Sequence, residues 1–259
     1  MQSRLYSFPF IHLLALLAIL SSPWTFADEE GILIETLNRQ SGLTGEAPSE
    51  EASQTLVAYG KMKIASTDPQ GTDMIIDPSS GDLTFLNHAT KEYYRLNARA
   101  ILAGISQPGV EQMRALLEQT RITVEPTDET RQINGFHCRK YRVSKTGLMD
   151  IEQEVWATEE IQLDLDRYND LMRLSGPEGL LGDSEAARAQ RAEMQKIKGY
   201  PILTISKVQM MGTEMETQTE VRAIRKESMS KALFEIPADY KERSMGDEGE
   251  DMVPSGAKQ

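Results

Sequence analysis

From Glu214 to Ile224 the chain alternates in character for its whole length. Met215, Thr217, Thr219, Val221 and Ala223 share one side, and Glu214, Glu216, Gln218, Glu220 and Arg222 share the other. Successive side chains of a strand point to opposite faces, so this pattern predicts a strand with one wet face and one covered face. Residues 202–210 form its hairpin partner, joined through a turn at Gly212. The same period recurs upstream over residues 56–65, where Leu56, Ala58, Met62 and Ile64 share a side. Residues 74–77, 83–87 and 93–96 read as further strands. Pro78-Ser79-Ser80-Gly81-Asp82 is a strong turn signal between the first two, so this part is an antiparallel meander. Residues 121–125, 136–144 and 149–157 add three more strands, with Asn134-Gly135 as a hairpin turn and a second turn at Lys145-Thr146-Gly147.

Elsewhere the spacing becomes helical. Asn97 is placed to cap a helix from Ala98; Pro108-Gly109 interrupts it, and residues 110–119 resume with Met113, Leu116 and Leu117 in register. A helical insert is expected over residues 164–198. Its first helix, 166–174, stops at Ser175-Gly176-Pro177, and its second is capped by Ser184 and runs to about Lys198. Within residues 28–53, Leu33 and Leu37 suggest a short helix, and 42–53 is rich in Gly, Pro, Ser and Glu and reads as a flexible linker. The folded domain is then 54–243, and 244–259 is an acidic disordered tail. Strands, helix, strands, helices, strands is an α+β order: an antiparallel sheet covered on one face by helices.

The start of the chain adds a location. Arg4, an apolar run over 11–20, Pro23 and the small-residue exit at Thr25-Phe26-Ala27 follow the order of a secretory signal, with cleavage near Ala27. The run is shorter than the ~20 apolar residues of a membrane span. The expectation is a periplasmic or secreted protein. Formal net charge is -12, and the signal contributes only Arg4 to it, so the mature chain repels phosphate backbones and nucleic acid is excluded as a partner. The single cysteine, Cys138, closes no disulfide within the chain, and the domain stands on its core as a monomer.

Candidate chemistry is sparse. Cys138 and the mature chain's two histidines, His88 and His137, are too few for a zinc site without carboxylates. The run from Asp164 to Asp170 lacks the glycine of a calcium loop. His137 and Cys138 are strand neighbours and point apart, so they do not form a base and nucleophile pair. No Gly-x-Ser-x-Gly elbow, phosphate-binding glycine loop or His-Glu-x-x-His is present. No catalytic residue, metal or cofactor is assigned. Met210, Met211 and Met215 gather near the last turn, either as an adaptable lining for an apolar ligand or as ordinary core.

Gly135, Cys138 and Tyr141 form a Gly-x-x-Cys-x-x-Tyr strand. Glu154 and Trp156 follow as Glu-x-Trp, and Phe234, Pro237 and Tyr240 close as Phe-x-x-Pro-x-x-Tyr, with residues 74–77 as an early strand. In this order the motifs resemble a family of exported bacterial proteins of unknown function, over most of 54–241. That family in turn resembles the lipoprotein-carrier (LolA/LolB-like) class. The resemblance implies a curved sheet, an incomplete barrel, that holds acyl chains against inner helices; it carries over no catalytic residue. Tyr141 and Trp156 each offer a large apolar body with one polar end, suited to a cavity wall. With Met210 and Met215 they are the candidate ligand-binding residues. The leading expectation is a non-enzymatic exported protein that shelters a lipid or other apolar ligand between sheet and helices. The alternative is an envelope interaction or scaffold protein with a filled core, no small ligand and a protein partner. A hydrolase using His88 or His137 is the third reading.

Overall fold

The computed structural model describes residues 28–42, 47–98, 100, 108–147, 150–210 and 213–243. The expected signal (1–27), the acidic tail (244–259), most of the helix after Ala98 and the turn at Gly212 lie outside them. Twelve strands form one sheet in the order β12-β6-β5-β4-β3-β2-β1-β11-β10-β9-β8-β7, and its two ends do not pair with each other. The strands are β1 (Glu29–Gln40), β2 (Ser49–Ala58), β3 (Lys61–Ser66), β4 (Thr72–Asp77), β5 (Asp82–Asn87), β6 (Glu92–Asn97), β7 (Arg121–Ile133), β8 (Phe136–Thr146), β9 (Ile151–Thr158), β10 (Tyr200–Met210), β11 (Thr213–Met229) and β12 (Lys241–Glu242). All pairs are antiparallel except β12 on β6. The helices are α1 (Pro108–Glu118), α2 (Asp166–Ser175) and α3 (Glu185–Met194), with 3-10 turns at Pro177–Leu181 and Lys231–Phe234.

The meander and the hairpins stand where the turn signals put them. Asn134 and Gly135 have φ of 50° and 90°, as a primed turn requires. Asn97 caps as expected, its Oδ1 accepting from the Ala100 N–H, and Ser184 Oγ accepts from the Ala187 N–H.

Three expectations fail, each for a physical reason. The short helix within 28–53 is instead β1, in the middle of the sheet between β2 and β11. Both its faces are buried, Ile34 in the main core and Leu33 in a second cluster, and this removes the alternation by which a strand is recognised. The linker from 42 to 53 is half strand: Ser49 to Ser53 pair with Gln40 to Thr36 of β1. This polar stretch is held by its backbone and by an Arg39–Glu50 ion pair at 2.7 Å. Residues 56–65 are two strands, turned at Tyr59-Gly60 with φ of 52° and 69°. A tyrosine at positive φ is strained. Its ring repays that locally: the hydroxyl donates to the Met229 carbonyl at 2.7 Å and accepts from the Glu29 N–H at 3.0 Å.

The alternation in β11 is broken by a bulge. Ala223 pairs with Glu35 but Val221 with Thr36, leaving Arg222 extra. Val221 is covered as expected, and so is Glu220, which was expected to be wet.

The main core joins Ile34, Met62, Ile76 and Leu83 from one half of the sheet to Ile133, Cys138, Trp156, Ile202, Leu203 and Val221 from the other. Leu165, Tyr168 and Leu171, at and within α2, belong to the same cluster. On the opposite face Tyr141, Val143, Val155 and Ala157 pack with Val124 and Ile197, and Leu33, Ala58 and Met229 pack with Phe234.

Gly31 lies where β1 passes between β2 and the end of β11. A Cβ there would meet the Val57 carbonyl oxygen at 2.6 Å and Ala58 Cβ at 2.9 Å. Backbone cannot step aside as a side-chain tip can, so Gly31→Ala should cost about 1–3 kcal/mol. A lower urea midpoint with an unchanged slope is the expected result, and an unchanged midpoint would show that the strands separate freely here.

Candidate functional site

The four residues expected to bind ligand do not converge. Trp156 pairs with Lys140 across β8 and β9, and Val155 pairs with Tyr141, so the two aromatic residues point to opposite faces. Tyr141 is fully buried beneath the segment after α3, and its hydroxyl accepts from the Lys198 N–H at 3.1 Å. Trp156 is buried on the main-core face. The Arg131 guanidinium stacks over its ring at 4.1 Å, Lys140 lies 5.6 Å from it, and its Nε1 has no acceptor among the described residues. Met210 ends β10 at the far end of the last hairpin, paired with Thr213. Met215 is half-buried, its sulfur 3.3 Å from Gln40 Nε2, and belongs to none of the apolar clusters.

His137 is exposed and Cys138 buried, on opposite faces as strand neighbours must be. Burial raises the Cys138 thiol above its ordinary value and Glu160 adds to that, against a smaller pull from Arg131. The thiolate is thereby disfavoured. Among the described residues no group of three His, Cys, Asp or Glu side chains is placed to hold a metal ion, and no helix is long and apolar enough to cross a membrane.

Open space lies around the helices instead. A cleft of about 780 Å³ separates the start of β7 from α3, lined by Glu118, Arg121 and Ile122 on one side and by Glu185, Ala189 and Glu193 on the other. Glu193 Oε2 accepts from the Val124 N–H at 2.9 Å, and Lys196 holds its other oxygen at 2.6 Å. The Lys196 contact, then the Val124 N–H, keeps this carboxyl below its ordinary value. A second cleft of about 490 Å³ opens between α2 and α3, with Asp170, Arg173, Gln190 and Met194 in its wall. Met113, Leu116, Met172 and Met194 are each more than a third exposed, so α1, α2 and α3 each present an apolar side chain to solvent. No pattern along the sequence marks these clefts, because they depend on where the insert docks.

A third polar grouping sits at the opposite end of the sheet. Asp73 is buried on β4, with one carboxylate oxygen 2.8 Å from Lys63 Nζ and 2.9 Å from His88 Nε2. Its other oxygen accepts from the Ser66 N–H at 3.1 Å. His88 Nδ1 meets the hydroxyl of Tyr240, the last residue of the C-terminal motif. Lys91 and Asp239 pair beside it at 2.7 Å. The network fastens the end of the chain to the meander.

These features define an open twelve-stranded sheet, antiparallel except for β12 on β6, with clefts beside its helices and another on the meander. The chain belongs to the family described as a domain of unknown function, DUF4412, whose profile matches residues 53–240. The motif order had pointed to an uncharacterised family of this kind. No curated protein matches the chain by sequence. Solved structures similar to it include PNGF-II, at 14% identity and a TM-score of 0.40, covering 86% of this chain and 32% of that one. The MucA/MucB complex of Pseudomonas aeruginosa is similar at 6% identity and a TM-score of 0.39, covering 82% and 57%. A LolA superfamily protein from Nitrosomonas europaea is similar at 8% and 0.33, covering 80% and 90%. The chain thus spans about a third of the first and just over half of the second.

The C-terminal fastening has a pH signature. Burial raises the Tyr240 phenol above its ordinary value, and the Asp239 and Asp73 carboxylates add to that while Lys91 opposes it. Folding therefore favours the protonated phenol. Its contribution is present below the pH where an unfolded tyrosine ionises, about 10, and is lost as pH rises through the higher folded value. Tyr240→Phe should lower the urea midpoint at about pH 8, and the gap from wild type should narrow as pH rises past about 10. A gap that stays constant with pH would detach the phenol from this network.

Proposed function

We propose that this chain is a non-enzymatic binding protein of the bacterial envelope, exported and cleaved near Ala27, that acts through its surface. Of the two binding readings, the one with a filled core and a protein partner is favoured. The observation behind this is the interior itself. Where α2 meets the sheet, the space is taken by Tyr168, Ile34, Ile76, Leu83 and Ile202, all fully buried. A packed interior of this kind has few voids larger than a water molecule. Room for a partner lies beside β7 and between the helices.

The apolar-ligand reading retains one specific support. Met194 lines the 490 Å³ cleft between α2 and α3 and is well exposed, and flexible thioethers suit varied apolar partners. A lipid would therefore be met among the helices, away from Tyr141 and Trp156.

Two measurements on protein from its own compartment separate these readings. Native mass spectrometry should give a ligand-free mass, and crosslinking in intact cells should recover one recurring protein partner. A copurifying hydrocarbon-bearing adduct, or crosslinking that recovers no protein, would overturn the surface-partner reading. A Met194→Glu variant that releases such an adduct would place the lipid in the helical cleft.

A further inference from the structure

Resting on the reading of a surface-acting binding protein, we propose that the cleft between β7 and α3 takes an extended, lysine- or arginine-bearing peptide segment as an added strand. Among the described residues β7 is the last strand of the sheet, and the backbone groups on its outer side face no other strand. The Val124 N–H shows which groups those are, because it donates to Glu193 and not to β8. Ile122, two residues earlier, points the same way. Pro126, two residues later, has no N–H to offer, so a ladder stops there. The receptive edge is thus Ile122 together with Val124, since the Thr120 N–H is held by the Leu117 carbonyl and the Thr120 carbonyl by Gln190 Nε2, and residues 120–123 wall the cleft.

Across the cleft α3 presents Ala186, Ala189 and Ala192, small side chains that crowd a guest strand least. Main-chain pairing to the edge supplies affinity, and alternate side chains of the guest supply selectivity. The Glu193 carboxylate already stands where the carbonyl of an added strand would be, and would exchange Val124 for the guest. Charge selects the guest. Glu118 and Glu185 face the cleft with Arg121, while Glu193 and Lys196 compensate each other, so the wall keeps an acidic balance. A second copy of this chain would bring the same carboxylates to the contact. Its C-terminal residues carry Asp247, Glu248, Glu250 and Asp251 against Lys258, the wrong sign for this wall.

The test uses the mature chain and three fluorescein-labelled hexapeptides. One is Lys-Val-Thr-Val-Thr-Lys, one is the same peptide N-methylated at alternate residues, and one has glutamate at both ends. Fluorescence anisotropy should show the first binding at least about tenfold more tightly than either other, since methylation deletes ladder hydrogen bonds and glutamate reverses the charge match. Hydrogen exchange should slow at the Ile122 and Val124 amides when the first peptide saturates. Ala189→Phe should fill the cleft and weaken binding by a similar factor; where that variant fails to fold, the N-methylated pair decides. Equal binding of all three peptides, unchanged exchange at Ile122, or no binding at about 1 mM would overturn the proposal. A peptide-free dimer with Ile122 protected would make a second copy the occupant and also overturn it. Crosslinking to a partner elsewhere on the surface would then leave the surface-acting reading standing without this one.

Discussion

One side chain sets the curvature on which the rest of the molecule depends. Asn134, at the tip of the β7–β8 hairpin, donates to Glu220 Oε1 at 2.9 Å and to the Val221 carbonyl at 2.8 Å. In a flat sheet β8 and β11 would lie about 14 Å apart, three steps of ~4.8 Å. The hairpin must therefore fold over β9 and β10 to make these bonds. The bulges at Ile202 and Arg222 permit that bend, each by adding a residue on one side of a ladder. Glu220 is buried where the strands meet, and it is also bound by Arg39, Arg222 and Gln218, so its charge is compensated. The bend in turn brings Ile133 and Trp156 into one cluster with Ile34 and Ile76.

Leu165, Tyr168 and Leu171, at and within α2, pack into the main core of this sheet. Tyr168 is fully buried there, and its hydroxyl accepts from Arg167 at 2.9 Å, so the ring enters the core with its polar end satisfied. The same insertion that closes the interior leaves α3 at the rim, against β7. Filling the core and opening a cleft at the edge are thus two results of one helical insert, and the reading of this protein as a surface binder follows from where that insert lies.

Much of the sheet was legible in the sequence, and the failures share a cause. Asn134-Gly135 and the run from Pro78 to Asp82 announced their turns because each supplies the backbone freedom the turn needs. Tyr59-Gly60 did not, because its positive φ is held by contacts with Glu29 and Met229, far away in sequence. β1 was hidden by having two covered faces, and the first half of β2 by a polar composition tolerated through backbone pairing. The candidate site was less legible still. Tyr141 and Trp156 are each two-sided residues on neighbouring strands, but their faces depend on the Lys140–Trp156 register, which no local pattern records. The family itself could be read, since its motif residues sit at fixed intervals whatever they do. In the structure Phe234 packs edge-on to Tyr59 and Tyr240 joins His88, so the C-terminal motif is explained by fastening.

That fastening makes the two borders of the sheet unequal. β12 lies along the start of β6, with the Lys241 and Arg243 N–H groups bonded to the Lys91 and Tyr93 carbonyls, and β6 ends soon afterwards at Asn97. A ribbon with two receptive rims can propagate from molecule to molecule without limit. Here β12 screens Glu92 and Tyr93 at one rim, which shortens the bare edge open to such propagation.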